Sequence, residues 1–219
     1  MARDRDSRAE LVQTMARLLR DQGYAATGRA QLLAESGVSN GSLYHHFPGG
    51  MEELAEVALE ASGQLVAGAL REALEAAPGA AAGVCRFLDM AAEADYPGCP
   101  VAPTALESPI VSPRLRVVAA RCFDQWESLI AARLRADGWP EHSVPETASA
   151  VLALIEGALL LARVTGQPSH LAHAKQAAVT LLSARSAPKP AGSQSYSLSC
   201  VISYLIRGLR THNKFKTCC

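Results

Sequence analysis

Between Thr27 and Phe47 the chain reads TGRAQLLAESGVSNGSLYHHF, and its polar side chains are of kinds that grip nucleic acid. Asn40 can bond adenine N6 and N7 in a bidentate way, and Ser42 can bond either kind of base edge. Gly41 has no side chain and permits close approach of the backbone to a sugar-phosphate or a base methyl. Tyr44, His45 and His46 lie further along and can donate to phosphate oxygens, which fix register but carry no sequence information. Thr27 is expected to N-cap a first helix whose exposed amides could hold a phosphate, with Arg29 in its first turn. Other chemistries are weaker here. His45 and His46 are helix neighbours about 100° apart, a poor geometry for shared metal ligation. Ser42 and His46 stand at i and i+4 and could pair as nucleophile and base, but no orienting acid or oxyanion hole accompanies them. His170 and His173 suit a helix-end cation better than a metal pair, since no carboxylate follows. No catalytic residue, metal or cofactor is expected.

Two short helices must position these groups. The first runs from Arg29 to Glu35, and Ser36-Gly37-Val38 turns the chain, with Gly37 free to take φ > 0. Ser39 offers a hydroxyl N-cap to a second helix that ends near His46. Leu43 and Phe47, at i and i+4, anchor that helix together with Val38. Two helices at a steep angle across a short glycine turn make a helix-turn-helix, whose second helix enters the major groove.

The 219-residue chain is half apolar, poor in aromatics and free of convincing period-2 strands, so the class is all-α. Residues 1–48 carry six Arg and five acids, residues 49–170 eight Arg and sixteen acids, and residues 171–219 seven Lys and Arg with no acid. A neutral head on an acidic body is the distribution expected if only the head meets phosphate. Six cysteines show neither CxxC nor His/Cys ligand spacing. The N-terminal MARDRDSRAEL has no apolar core of a signal peptide, and the apolar run Ala148 to Val164 is interrupted by Glu156 and Arg163 and looks too short to span a membrane. A reduced, cytoplasmic, soluble protein is expected.

Helical periodicity and breakers predict nine helices, three in the head and six in the body. Residues 5–22 form the first, with Leu11, Met15, Leu18 and Leu19 on one face. After Phe47, a helix from Met51 to about Ala76 links head to body, Glu52 and Glu53 favouring its positive end. Others cover 80–95, a short stretch at Thr104–Glu107 between Pro103 and Pro109, Arg114–Ala136 behind Ser112-Pro113, Pro145–Thr165 and Leu171–Ala184. From Lys189 alanine nearly vanishes and a basic, Ser- and Cys-containing composition begins. The chain therefore divides into a head at 1–48, a body at 49–186 and an atypical basic tail at 187–219, read as a disordered or non-native end or else as a basic appendage adding phosphate affinity.

These residues resemble the signature of the TetR family of transcriptional regulators: Gly23-Tyr24 to Thr27, then Gly37-Val38-Ser39-Asn40-Gly41-Ser42-Leu43-Tyr44-His45-His46-Phe47. The likeness covers residues 5–60. Phe47-Pro48-Gly49-Gly50 followed by Glu52-Glu53-Leu54, with GCPVAPTALE at Gly98–Glu107, is similar to the subgroup of lincomycin- and flavonoid-responsive repressors of Bacillus. The resemblance implies a nine-helix homodimer joined through Pro145–Thr165 and Leu171–Ala184, where Ala148, Ala153 and Gly157 suit close helix contact. It implies two heads on double-stranded palindromic operator DNA, their half-sites about 34–36 Å apart or a multiple of that. A small-molecule effector in the body would shift the fourth helix and release the DNA. The candidate pocket residues are Phe87, Met90, Tyr96, Cys99, Phe123, Trp126 and Leu160. Where the subgroup usually has Lys at the start of the fourth helix, this chain has Met51 and lacks that phosphate contact, which would lower the salt slope by about 0.9. The alternative reading is a small-molecule binding or sequestering protein that has lost sequence-specific DNA binding.

Overall fold

The computed structural model describes residues 2–93 and 98–183. Among these, nine α-helices and one 3-10 turn follow one another without a strand: α1 (Ala2–Gln22), α2 (Arg29–Ser36), α3 (Asn40–His46), α4 (Gly50–Glu75), α5 (Ala80–Glu93), α6 (Ala102–Val111), α7 (Pro113–Ala136), the turn Glu141–Ser143, α8 (Val144–Thr165) and α9 (Ser169–Ser183). The described residues fall within one compact unit. The expected tail at 187–219 and the C-terminal Ala184 of the last helix lie outside the described residues.

The helix ends follow local chemistry. Ser112 Oγ accepts from the Leu115 amide, and Pro113 fills N1, where its missing N–H costs nothing. Gly49 precedes α4, and its amide donates to Glu53 at 2.7 Å, so that carboxylate satisfies an orphan donor as well as complementing the dipole. One boundary differs from expectation. The short helix expected at Thr104–Glu107 extends through both flanking prolines, Pro103 and Pro109. Pro103 lies in the first turn, where no intrahelical donor is required, and Pro109 falls in the last turn, where little helix remains to be broken.

The core is continuous. Leu11, Met15, Leu18 and Leu19 of α1 are buried, as their spacing requires, and α1 packs on α4. α4 also packs on α5 and α7. Trp126 of α7 is fully buried, its indole N–H donating to the Gly63 carbonyl of α4 at 3.0 Å. At the N-terminal end of α7, Ser112 Oγ donates to Glu52 Oε1 at 2.6 Å while Arg114 pairs with Glu56 at 2.6 Å. α4 and α5 pack tightly at Gly83, where an added Cβ would stand 2.9 Å from the Leu74 Cα. Because backbone as well as the Leu74 side chain is in the way, Gly83→Ala should force the two helices apart. We expect a loss of about 1–3 kcal/mol in chemical denaturation; an unchanged midpoint would show that the crossing yields freely.

α8 deserves separate comment. With the turn before it, Glu141–Thr165 spans 25 residues and contains an 18-residue stretch of mean hydropathy 1.7, long and apolar enough by length and composition to cross a membrane. The expectation that this run is too short therefore fails on length. Packing against α7 and α9 buries Val144, Ala148, Val151 and Ile155, while Leu160, Leu161 and Val164 stay exposed.

Candidate nucleic-acid interface and body cavity

α2 and α3 are held by few residues. Gly37 closes α2 in the left-handed region at φ 67°, its amide donating to the Leu33 carbonyl, which turns the chain sharply toward α3. Ser39 caps α3, its Oγ accepting from the Ser42 amide at 3.1 Å. Leu43 and Phe47 are buried, with Val38 packed against them, and the Arg8 guanidinium lies 5.3 Å from the centre of the Phe47 ring. Asn40, Gly41, Tyr44 and His45 remain exposed, and Ser42 is half-buried. The turn expected to read bases is thus outward while the residues expected to anchor are inward.

Two features of this surface were invisible in the sequence. Arg29 Nη1 donates to the Tyr44 hydroxyl at 3.0 Å, joining α2 to α3. The Tyr44 ring is braced by the backbone at Gly50, where an added Cβ would lie 3.2 Å from Cε1. Thr27, by contrast, does not cap α2. That position belongs to Gly28, in extended conformation and without a side-chain hydrogen bond. Thr27 is buried, its hydroxyl donating to the Gly23 carbonyl at 2.6 Å and its amide to the Tyr24 carbonyl at 3.0 Å. The loop's own carbonyls thus take both the hydroxyl and the amide of Thr27. Arg17 pairs with Glu35 and so ties α1 to α2.

The body holds a cavity of about 280 Å³ between α4, α5, α7, α8 and the segment Gly98–Pro100. Its walls are almost wholly apolar. Of the residues expected there, Phe87, Met90, Cys99 and Trp126 line it. Phe123 does not: it stands off the cavity, edge-on to Trp126 at 5.2 Å between centroids. Leu160 is half exposed on the outer side of α8 and lines a second groove instead. Tyr96 lies outside the described residues.

Sequence reasoning missed Glu156. It lies on the cavity wall, and burial pushes its carboxyl up to about 7, an effect that the Cys99 thiol donating to it only partly offsets. Burial, with the nearby Glu156 carboxylate adding, also raises the Cys99 thiol far above its ordinary range, so it is an inert hydrogen-bond donor and not a nucleophile. The second groove, about 270 Å³, shares Gly98, Cys99, Glu156 and Leu159 with the cavity and extends to Asp21 and Gln22 of α1.

Two side chains of the body grip the chain where α1 ends. Arg163 of α8 donates to the Arg20 and Asp21 carbonyls, each at 2.9 Å. Glu107 of α6 accepts from the Tyr24 amide and, at 3.0 Å, from the Ala25 amide. The helices bordering the cavity and groove therefore hold the loop that leads into the helix-turn-helix. Among the described residues no group of three or more His, Cys, Asp or Glu could hold a metal ion.

Comparison with known proteins matches both halves. Residues 11–58 match the model of bacterial regulatory proteins of the tetR family, and residues 80–177 that of the LmrA/YxaF-like transcriptional regulator C-terminal domain. The HTH-type transcriptional regulator LmrA of Bacillus subtilis is 34% identical over 173 residues, covering 77% of this chain and 92% of that protein. A TetR transcriptional regulator from Chloroflexus aurantiacus superposes with a TM-score of 0.73 at 27% identity, covering 84% of this chain and 98% of that one. The fold also matches the regulator CifR, a cysteine mutant solved with 26-bp double-strand operator DNA, at TM-score 0.69 and 23% identity over 78% of this chain and 94% of that one. With an exposed turn at the start of α3, an apolar cavity in the body and these likenesses over most of its length, the chain belongs to the TetR family of transcriptional regulators, in the branch with an LmrA/YxaF-like C-terminal domain, and is not an enzyme.

Proposed function

We propose that the chain is a cytoplasmic, ligand-responsive repressor that binds palindromic operator DNA as a homodimer and is released by a small molecule held in the body. In this reading residues 1–48 are the DNA-binding head and residues 49–186 the effector-binding and dimerisation body. Asn40, Gly41 and Ser42 read bases. Arg29, Tyr44 and His45 grip phosphate, as do the first-turn amides of α2 after Thr27, with Ser39 holding the reading helix in shape.

The observation that carries the reading is the wall common to cavity and groove. A molecule entering beside Glu156 bears on α8, whose Arg163 holds the end of α1. A shift there changes the angle at which α2 and α3 are presented, and a coupling of only about 1–3 kcal/mol suffices to switch occupancy. The dimer surface is proposed on α8 and α9. Leu161, Val164, Val179 and Leu181 are exposed there, and the space beside Gly157 is open. Ala148, one of the small residues expected at that surface, is fully buried in the chain's own core and takes no part.

Selection of bound sequences from random DNA tests the reading. It should enrich an inverted repeat whose half-sites lie about 34–36 Å apart or a multiple of that. Absence of enrichment at physiological salt would leave a small-molecule binding protein without DNA function.

A further inference from the structure

Resting on the reading of the body cavity as the effector site, we infer that this cavity selects apolar molecules bearing a basic nitrogen, whose ammonium group is held by the Glu156 carboxylate. The argument is one of unmatched charge. Among the described residues Glu156 is the only carboxylic acid on the cavity wall, with such neighbours as Val66, Leu70, Ile155 and Leu159. No Lys, Arg or His lines the cavity among the described residues. The groups that could answer it are spent or of the wrong kind. The Trp126 N–H is taken by the Gly63 carbonyl, and the Cys99 thiol donates to Glu156 but carries no charge. Beyond the shared wall, the outer groove brings Asp21, an acid, and Arg163, whose two terminal nitrogens already donate to α1 carbonyls.

A carboxylate so placed pays for desolvation without a counter-ion, consistent with the upward shift that burial gives its pKa. A ligand ammonium restores the missing charge in a low-dielectric site, where a charge-assisted hydrogen bond is strongest. The aromatic faces of Phe87 and Trp126, also on the wall, favour a flat apolar body and add attraction for a cation. An anionic amphiphile meets the opposite: no donor side chain and a like charge.

The test is calorimetric titration of the full chain at about pH 8, where Glu156 and an alkylamine are both mainly ionised. The probes are 1-naphthylmethylamine, 1-naphthylmethanol and 1-naphthoate, which share one ring system and differ in charge. The wild type should bind the amine about tenfold or more tighter than the alcohol, and naphthoate most weakly. Glu156→Gln should erase the preference for the amine and leave alcohol binding within about twofold, because only the charge is removed. Equal binding of amine and alcohol by the wild type, with both lost in the cavity-narrowing Met90→Trp variant, would overturn the charge proposal and leave the cavity as the effector site. A preference for the amine that survives Glu156→Gln would overturn it too. Binding of no probe, or binding undiminished by Met90→Trp, would overturn both the proposal and the reading beneath it.

Discussion

Glu156→Gln is expected to be more stable than the wild type at pH 8, by up to about 3 kcal/mol, and no more stable at pH 4. The sign follows from where the proton sits. Burial raises the folded-state carboxyl from 4.5 to about 7, so between those values the folded chain binds more proton than the unfolded one. Stability from this group is fully present below the unfolded pKa. It falls as pH rises and is lost once pH passes the folded pKa. Gln keeps the shape and the acceptor for Cys99 but has no charge to desolvate, and so escapes the loss. The full figure is an upper value, because the open groove admits water to one side of the carboxyl. Urea denaturation of both proteins at pH 4 and pH 8, at one fixed protein concentration, isolates the group, since all other titrations are common to the pair. A difference between the two proteins that did not change with pH would show the carboxylate to be solvated or paired in the folded state. A side chain that weakens the fold at neutral pH, where an uncharged one would not, is a mark of a binding site more than of a scaffold.

The helices were legible because each is signalled twice, by periodicity within and by chemistry at its ends. Leu11, Met15, Leu18 and Leu19 define a face that is buried in fact, and Ser112-Pro113 marks the start of α7 by a cap and a pre-set φ. The same logic located the reading turn, since Leu43 and Phe47 can only anchor if Asn40 and Tyr44 face out. The failures share one cause: a one-dimensional pattern gives the face of a helix but not what lies opposite it. Thr27 had the right type and spacing for a cap, yet the Gly23 carbonyl four residues back offered its hydroxyl a closer partner. Phe123 and Trp126 lie nearly one turn apart on α7, and only the packing on α4 decides that Trp126 meets the cavity while Phe123 does not. Glu156 read as an interruption of an apolar run, which it is along the sequence. Across the fold it is, among the described residues, the one charged group on an apolar wall. The clamps of Arg163 and Glu107 span 142 and 82 residues and had no local signature at all.

Asn40→Ala is expected to relax base preference at one position of each half-site by about 1–3 kcal/mol, while leaving binding to non-operator DNA unchanged. The reason is structural as much as chemical. Asn40 is exposed at the start of α3, ahead of the buried Leu43, so truncation removes a base-edge contact without disturbing the anchor. The Ser39 cap is untouched, and the Ser42 amide keeps its acceptor. Arg29→Ala should do the reverse. It removes a cation and the donor to the Tyr44 hydroxyl, so affinity falls for every sequence and the salt slope drops by about 0.9 per lost phosphate contact. Competition binding against operators substituted one base pair at a time, repeated over a range of salt, separates the two behaviours. Unaltered base preference in the Asn40 variant would move the reading role to Ser42 or to the backbone at Gly41. In a homodimer on a palindrome each substitution occurs twice, so the free-energy change per half-site roughly doubles for the whole operator. A contact that is modest in one protomer then decides whether the regulator distinguishes its operator from the surrounding DNA.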